Sequence, residues 1–180
     1  MFLITMKHFL SPVSIRLFFP MLLFFQVSVI LLDLSVVHAS QAVNALPAYS
    51  HDYDVSRDPM ADGRDALKLA IATDRKVLIE VGGDWCRWCH VLDRFIKDHP
   101  DVQSRLYKTF VVLKVNVSDE NDNAEFMKTF PPTKGYPHMY ITDSEGTILH
   151  SQDTADFRED KKYSERRFMI FFDRWQNHDE

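Results

Sequence analysis

Two periods of apolar and polar positions alternate along this 180-residue chain, and each change of period marks an element. Ala66, Leu69, Ala70 and Thr73 recur at helical spacing and predict a first helix over residues 60–74. Val77–Val81 is a short apolar run of the buried-strand type. Val91-Leu92-Asp93-Arg94-Phe95-Ile96 returns to the helical period. That helix opens at Cys86 and ends near Asp98, because a residue before proline, here His99 before Pro100, disfavours helix. Pro100 starts a further helical stretch with Val102, Leu106 and Phe110 turned inward. Phe110–Val117 is the next strand, and Ser118-Asp119-Glu120 caps a short helix carrying Phe126, Met127 and Phe130. The loop Pro131–Gly135 leads through Tyr136-Pro137 into a hairpin, His138–Thr142 and Thr147–Ser151, whose turn places Gly146 at positive φ. Residues 152–162 read as a polar loop. Phe168, Phe171, Phe172 and Trp175 define an amphipathic closing helix. The predicted order α-β-α-β-α-β-β-α is an α/β domain, a single sheet with helices on both faces.

The ends of the chain set a compartment. Lys7, His8 and Arg16 lead into an apolar stretch that begins at Leu17, so residues 1–39 read as a signal peptide. Val37-His38-Ala39 offers a cleavage site and makes Ser40 the expected mature N-terminus. Phe18 to Val37 nearly reaches spanning length, and the alternative is an uncleaved anchor. Pro20, Asp33 and the Val-x-Ala site favour removal. Either route exports the rest, and a periplasmic location is expected, since the terminal Asn-His-Asp-Glu stops short of a retention tetrapeptide. Residues 40–58, without periodicity and punctuated by Pro47 and Asp58-Pro59, are expected to be a flexible lead-in; 59–180 form the domain. About 140 residues follow the leader, enough for one domain with a real core. The formal charge of −5, with no basic stripe, argues against nucleic acid as a partner.

The chemistry concentrates in Trp85-Cys86-Arg87-Trp88-Cys89-His90, which holds both cysteines of the chain. A Cys-x-x-Cys where a strand hands over to a helix puts the first thiol at the helix N-terminus. Unpaired backbone N–H groups and the helix dipole favour its thiolate there. The second thiol lies one turn on, within reach of a disulfide. A purely structural bridge is disfavoured, because so small a loop constrains the unfolded chain little.

From about residue 60 onward the chain resembles the thioredoxin-like superfamily, in particular exported members with a Trp-Cys-x-x-Cys-His motif. Trp85 precedes the first cysteine as in thioredoxins, and Cys86 and Cys89 match the active-site pair. Glu80 stands six residues before Cys86, where thioredoxins keep a buried acid. Pro137, before a strand, matches the proline whose preceding peptide bond is cis in that fold. The resemblance implies a thioredoxin-like fold, with a central mixed β-sheet flanked by helices on both faces. It also implies thiol–disulfide oxidoreductase activity on protein substrates, with a redox-active Cys86–Cys89 disulfide and no other cofactor or metal. A membrane thiol-relay protein is the expected redox partner. Three features depart from thioredoxins: Arg87-Trp88 replaces Gly-Pro, the acid is Glu, and Tyr136 and His138 flank the proline. Only a short helix fits between Cys89 and Pro137, which favours reduction or isomerase-like exchange over primary oxidation.

On this reading Cys86 is the nucleophile at an exposed helix start and Cys89 the resolving thiol. Glu80 exchanges a proton with Cys89, its buried setting raising its pKa. Arg87 adds positive charge beside Cys86. Trp85, Arg87, Trp88, Tyr136 and Pro137 form the surface that meets substrate.

Rival readings begin at His90. Cys86-Arg87-Trp88-Cys89-His90 satisfies the c-type haem attachment pattern, with Met139 or another methionine as a candidate second axial ligand. Cys86, Cys89 and His90, with His138, form a candidate copper or zinc site. A non-catalytic binding module on the same scaffold is a further class. His51, His99, His150 and His178 read as surface residues. Asn116-Val117-Ser118 reads as a chance glycosylation sequon within a core strand.

Overall fold

Strand β1, Lys76–Gly82, is the centre around which the protein is built, six of its seven residues being buried. In the computed structural model, which describes residues 46–176, β1 pairs in parallel with β2, Phe110–Asn116, from Lys76↔Phe110 to Gly82↔Asn116. On its other edge β1 pairs antiparallel with β3, His138–Thr142. Strand β4, Ile148–Asp153, pairs antiparallel with β3 and completes a mixed four-stranded sheet of order β2-β1-β3-β4.

Alternation along each strand divides the core in two. Leu78, Val112, Met139 and Ile141 point to a face covered by α2 (Arg87–Asp98), α3 (Pro100–Thr109) and α5 (Glu165–Gln176). Leu92 and Ile96 of α2, Val102 and Leu106 of α3, and Phe168, Phe171 and Phe172 of α5 fill that side. Val77, Ile79, Val81, Val111, Leu113 and Val115 point the other way, against Ala66 and Ala70 of α1, Pro59–Ala72. Asp58 caps α1 by accepting the Met60 N–H at 2.9 Å, with Pro59 at the first helical position. The helix-and-sheet order thus matches the predicted thioredoxin-like α/β class.

Three expectations change. The segment before α1 is not a loose lead-in where it is described. Residues 48–50 form a 3₁₀ turn, Tyr49 and Tyr53 are buried, and the Ser50 hydroxyl donates to the Val112 carbonyl at 2.5 Å. Residues 46–58 therefore strap the sheet; hydrogen bonds and aromatic anchors, which carry no periodicity, hold them there. The leader, residues 40–45 and His178 lie outside the described residues.

The helix expected after Ser118 shrinks to α4, Ala124–Met127, because Asn123 enters it in a left-handed conformation. The preceding loop is held by polar bonds instead. The Asn116 amide donates to Asn121 O at 2.8 Å and the Asn123 amide to Asn116 O at 2.7 Å. Residues 152–162 are also more ordered than a polar loop. They contain the end of β4, a 3₁₀ turn over Thr154–Phe157, and most of the hairpin β5 (Arg158–Glu159) and β6 (Lys162–Tyr163). Asp160 and Lys161 take positive φ at its tip. Gly146 does so in the β3–β4 turn, as expected. Among the described residues no helix is long and apolar enough to cross a membrane.

Candidate active site

The strand-to-helix turn after β1 brings the two cysteines together. Cys86 is the N-cap of α2, and Cys89 lies in the helix's first turn. Their sulfurs form a disulfide, with the Cα atoms 5.3 Å apart. The Cys89 backbone N–H points at Cys86 Sγ, 3.1 Å away. A helix N-terminal donor aimed at sulfur stabilises a thiolate there once the bond is reduced.

In this oxidised form Cys86 is 4% exposed and Cys89 fully buried, so the expected open thiol is a covered one. Tyr53, Trp88 and Tyr136 pack around the pair. Gly82 is required beneath it: a Cβ there would lie 2.6 Å from Cys89 Sγ and 2.9 Å from the Tyr53 ring.

Glu80 shares the sheet face of Leu78 and is 1% exposed. It stands opposite Lys114 on β2 and Met139 on β3. The Tyr53 hydroxyl donates to its carboxylate. Lys114 reaches Asp93 of α2 at 2.5 Å, and its ammonium lies 4.9 Å from the centre of the Tyr53 ring. Burial pushes the Glu80 pKa above its ordinary value and Asp93 adds to that, while Lys114 and the Tyr53 hydrogen bond pull against it. Burial alone would lower Lys114, but Glu80, Asp93 and Tyr107 more than offset it and raise its pKa. Tyr53 is pushed well above the ordinary tyrosine range, first by burial and then by Glu80, and stays a protonated donor.

The other predicted residues surround this centre. The Tyr136–Pro137 peptide bond is cis. The register Val81↔His138 sets Pro137 across from Gly82, beside the cysteine turn. Trp85 is 57% exposed; its indole N–H donates to Val117 O at 2.8 Å and its ring meets Tyr136 edge-on. Trp88 is half-buried under the Arg158 guanidinium and against Tyr163. Arg87 is exposed, at the mouth of a cleft of about 470 Å³ with Trp88, His99, Lys161 and Lys162. Trp85, on the N-terminal side of Cys86 in the chain, borders an open cleft of about 910 Å³ lined by Asp52, Asp54, Asp84, Asp119, Glu120 and Asp122.

The residues of the rival readings do not converge. His90 is exposed and its Nε2 meets the Asp84 carbonyl at 2.7 Å. Met139 is a core residue, and His138, on the opposite sheet face, meets Ser151 Oγ at 2.9 Å. Among the described residues no three of His, Cys, Asp and Glu gather as a metal-binding group. His99 and His150, expected on the surface, are half-buried against aromatic rings.

Periodicity missed Tyr53, Asp93 and Lys114. A signal for Lys114 was present, since it is the one charge in the Phe110–Val117 run. Tyr53 had none.

Residues 58–144 match the sequence model of a family described as thioredoxin-like. A curated relative, the thiol:disulfide interchange protein DsbD of Colwellia psychrerythraea, is 27% identical over 114 residues. That match covers 62% of this chain but only 18% of the relative. The disulphide isomerase of Xylella fastidiosa Temecula1 superposes with a TM-score of 0.58 at 23% identity, covering 73% of this chain and 97% of that one. The oxidised C-terminal domain of DsbD from Neisseria meningitidis gives 0.51 at 14% identity, over 68% and 99% of the two chains.

Proposed function

This chain is built on a thioredoxin-like domain, and from that premise we propose that it is a thiol–disulfide oxidoreductase acting on disulfides of polypeptide substrates. The observation that carries the reading is the Cys86–Cys89 disulfide at the start of α2, with Cys89 Sγ over Gly82 on the strand face that also carries a buried Glu80.

The Cys86 thiolate attacks a substrate disulfide, forming a mixed disulfide and releasing one substrate thiolate. Cys89 gives its proton to the Glu80 carboxylate and, as thiolate, attacks Cys86 Sγ. The Cys86–Cys89 bond forms, the bond from Cys86 to substrate breaks, and the second substrate sulfur leaves with the electron pair. Two electrons pass from protein to substrate; the same steps in reverse oxidise a dithiol. Trp85, Arg87, Trp88, Tyr136 and Pro137 receive the extended chain around the scissile bond. Between β2 and the cis-proline the described residues hold only the four-residue α4, with no large helical insertion, which favours reduction or exchange over primary oxidation.

An exported, periplasmic setting fits the leader-like residues 1–39. A membrane thiol-relay protein is the electron partner such a compartment suggests, and exchange with another thiol protein fits the likeness to the thiol:disulfide interchange protein DsbD.

The test is a glutathione redox titration followed by tryptophan fluorescence, since Trp85 and Trp88 flank the pair. A reversible two-electron transition supports the reading, and its midpoint separates reductant from oxidant. Absence of any transition, with unreactive thiols, would return the haem, metal and scaffold readings.

A further inference from the structure

Tyr53 belongs to the strap over the sheet, ahead of the matched residues 58–144, yet it reaches the centre of the site. Its residue is 4% exposed, its ring meets Cys89 Sγ over the missing side chain of Gly82, and its hydroxyl donates to Glu80. We propose that Tyr53 is a positioning residue for the resolving step, its hydroxyl holding the Glu80 carboxylate as the proton acceptor for Cys89. This rests on the exchange cycle above and deepens it.

A carboxylate on a buried strand has few donors to hold it. Those facing Glu80 are Tyr53 from the strap and Lys114 from β2, while Asp93 from α2 opposes its charge and Met139 from β3 is apolar. Tyr107 of α3 and Tyr163 of β6 also sense Glu80. Lys114 is occupied by Asp93 at 2.5 Å. The phenol is therefore the group hydrogen-bonded to Glu80 itself. A hydrogen bond to an ionised acceptor favours the ionised form, so the phenol keeps Glu80 available as a base. The step then balances: Cys89–SH and Glu80–COO⁻ become Cys89–S⁻ and Glu80–COOH, and the thiolate displaces the substrate sulfur from Cys86.

The resolving step is read directly by charging Cys86 of the reduced protein with Ellman's reagent. The first thionitrobenzoate reports attack by Cys86, and the second reports attack by Cys89 on the mixed disulfide. Tyr53→Phe keeps the ring and removes the donor. Its second phase is expected to show the acid limb of the pH–rate profile moved upward by about one pH unit or more, because the charge-assisted hydrogen bond to the carboxylate is lost. The two proteins converge at high pH. Difluorotyrosine at position 53, a stronger donor, is expected to move the limb downward. A uniform loss of rate at every pH, with the midpoint unmoved, would show that Tyr53 only packs and would overturn the proposal. Glu80→Gln separates the two readings. If Glu80→Gln resolves like the parent at all pH values, the relay itself is wrong. If it loses the acid limb while Tyr53→Phe leaves the midpoint in place, only the role of Tyr53 fails.

Discussion

At the scale of single residues the site is a pair of thiols over a buried charge network, and each member has a separable signature. Cys86→Ser should abolish turnover, whereas Cys89→Ser should accumulate mixed disulfides with substrate, visible on non-reducing gels. Sustained multiple turnover by Cys89→Ser would refute a two-cysteine cycle. Glu80 makes a prediction of opposite sign to the usual acid. Its pKa is raised in the folded protein, so above the ordinary 4.5 the folded state binds more protons than the unfolded one. Its contribution to stability is therefore full below that value and is lost as pH rises through the raised pKa. The stability of Glu80→Gln relative to the parent should rise from pH 4 to pH 8 in urea unfolding; a flat difference would mean that Glu80 is not perturbed. Lys114→Met should cost about 3 kcal/mol near neutral pH, since it strands Glu80 and Asp93. The loss should shrink in acid, where Glu80 takes a proton.

At the scale of elements, α2 and β1 work as one unit. Their junction tolerates no side chain at Gly82, so Gly82→Ala should lower stability by about 1–3 kcal/mol and disturb the contact between Tyr53 and Cys89. Thermal unfolding checks the first effect and the second phase of the Ellman reaction the second. Much of this unit was legible in advance. The apolar run from Val77 to Val81, broken only by Glu80, announced a buried strand with a buried acid, and the cysteine spacing announced a helix start. Elements held by polar or aromatic contacts were not legible. The Asn116–Asn121–Asn123 loop replaces most of an expected helix through amide hydrogen bonds, which leave no trace in hydrophobic periodicity. Tyr163, just past the stretch that reads as polar, carried no periodic signal, although it packs against Trp88 and Phe95.

At the scale of the whole molecule, the two neighbours of Cys86 in the chain line clefts of opposite charge. The acidic one begins at Trp85 and the basic, aromatic one at Arg87. A polypeptide crossing the disulfide in one direction meets favourable fields on both sides, and in the other direction meets neither. Reversing Lys161 and Lys162 to Glu should slow reaction with a disulfide peptide that is acidic on the matching flank. It should speed reaction with a basic one, and both effects should fade at high ionic strength. Equal rates for the two peptides would remove the clefts from recognition. No single segment announced this polarity, because its charges come from positions 52 to 162 and meet only after folding. The strap over residues 46–58 sets a last boundary. The family match begins at residue 58, but the proposed chemistry draws on residues ahead of it. A fragment trimmed to the matched stretch would retain both sulfurs and the acid yet lack the phenol. The matched stretch and the proposed chemical unit thus have different edges.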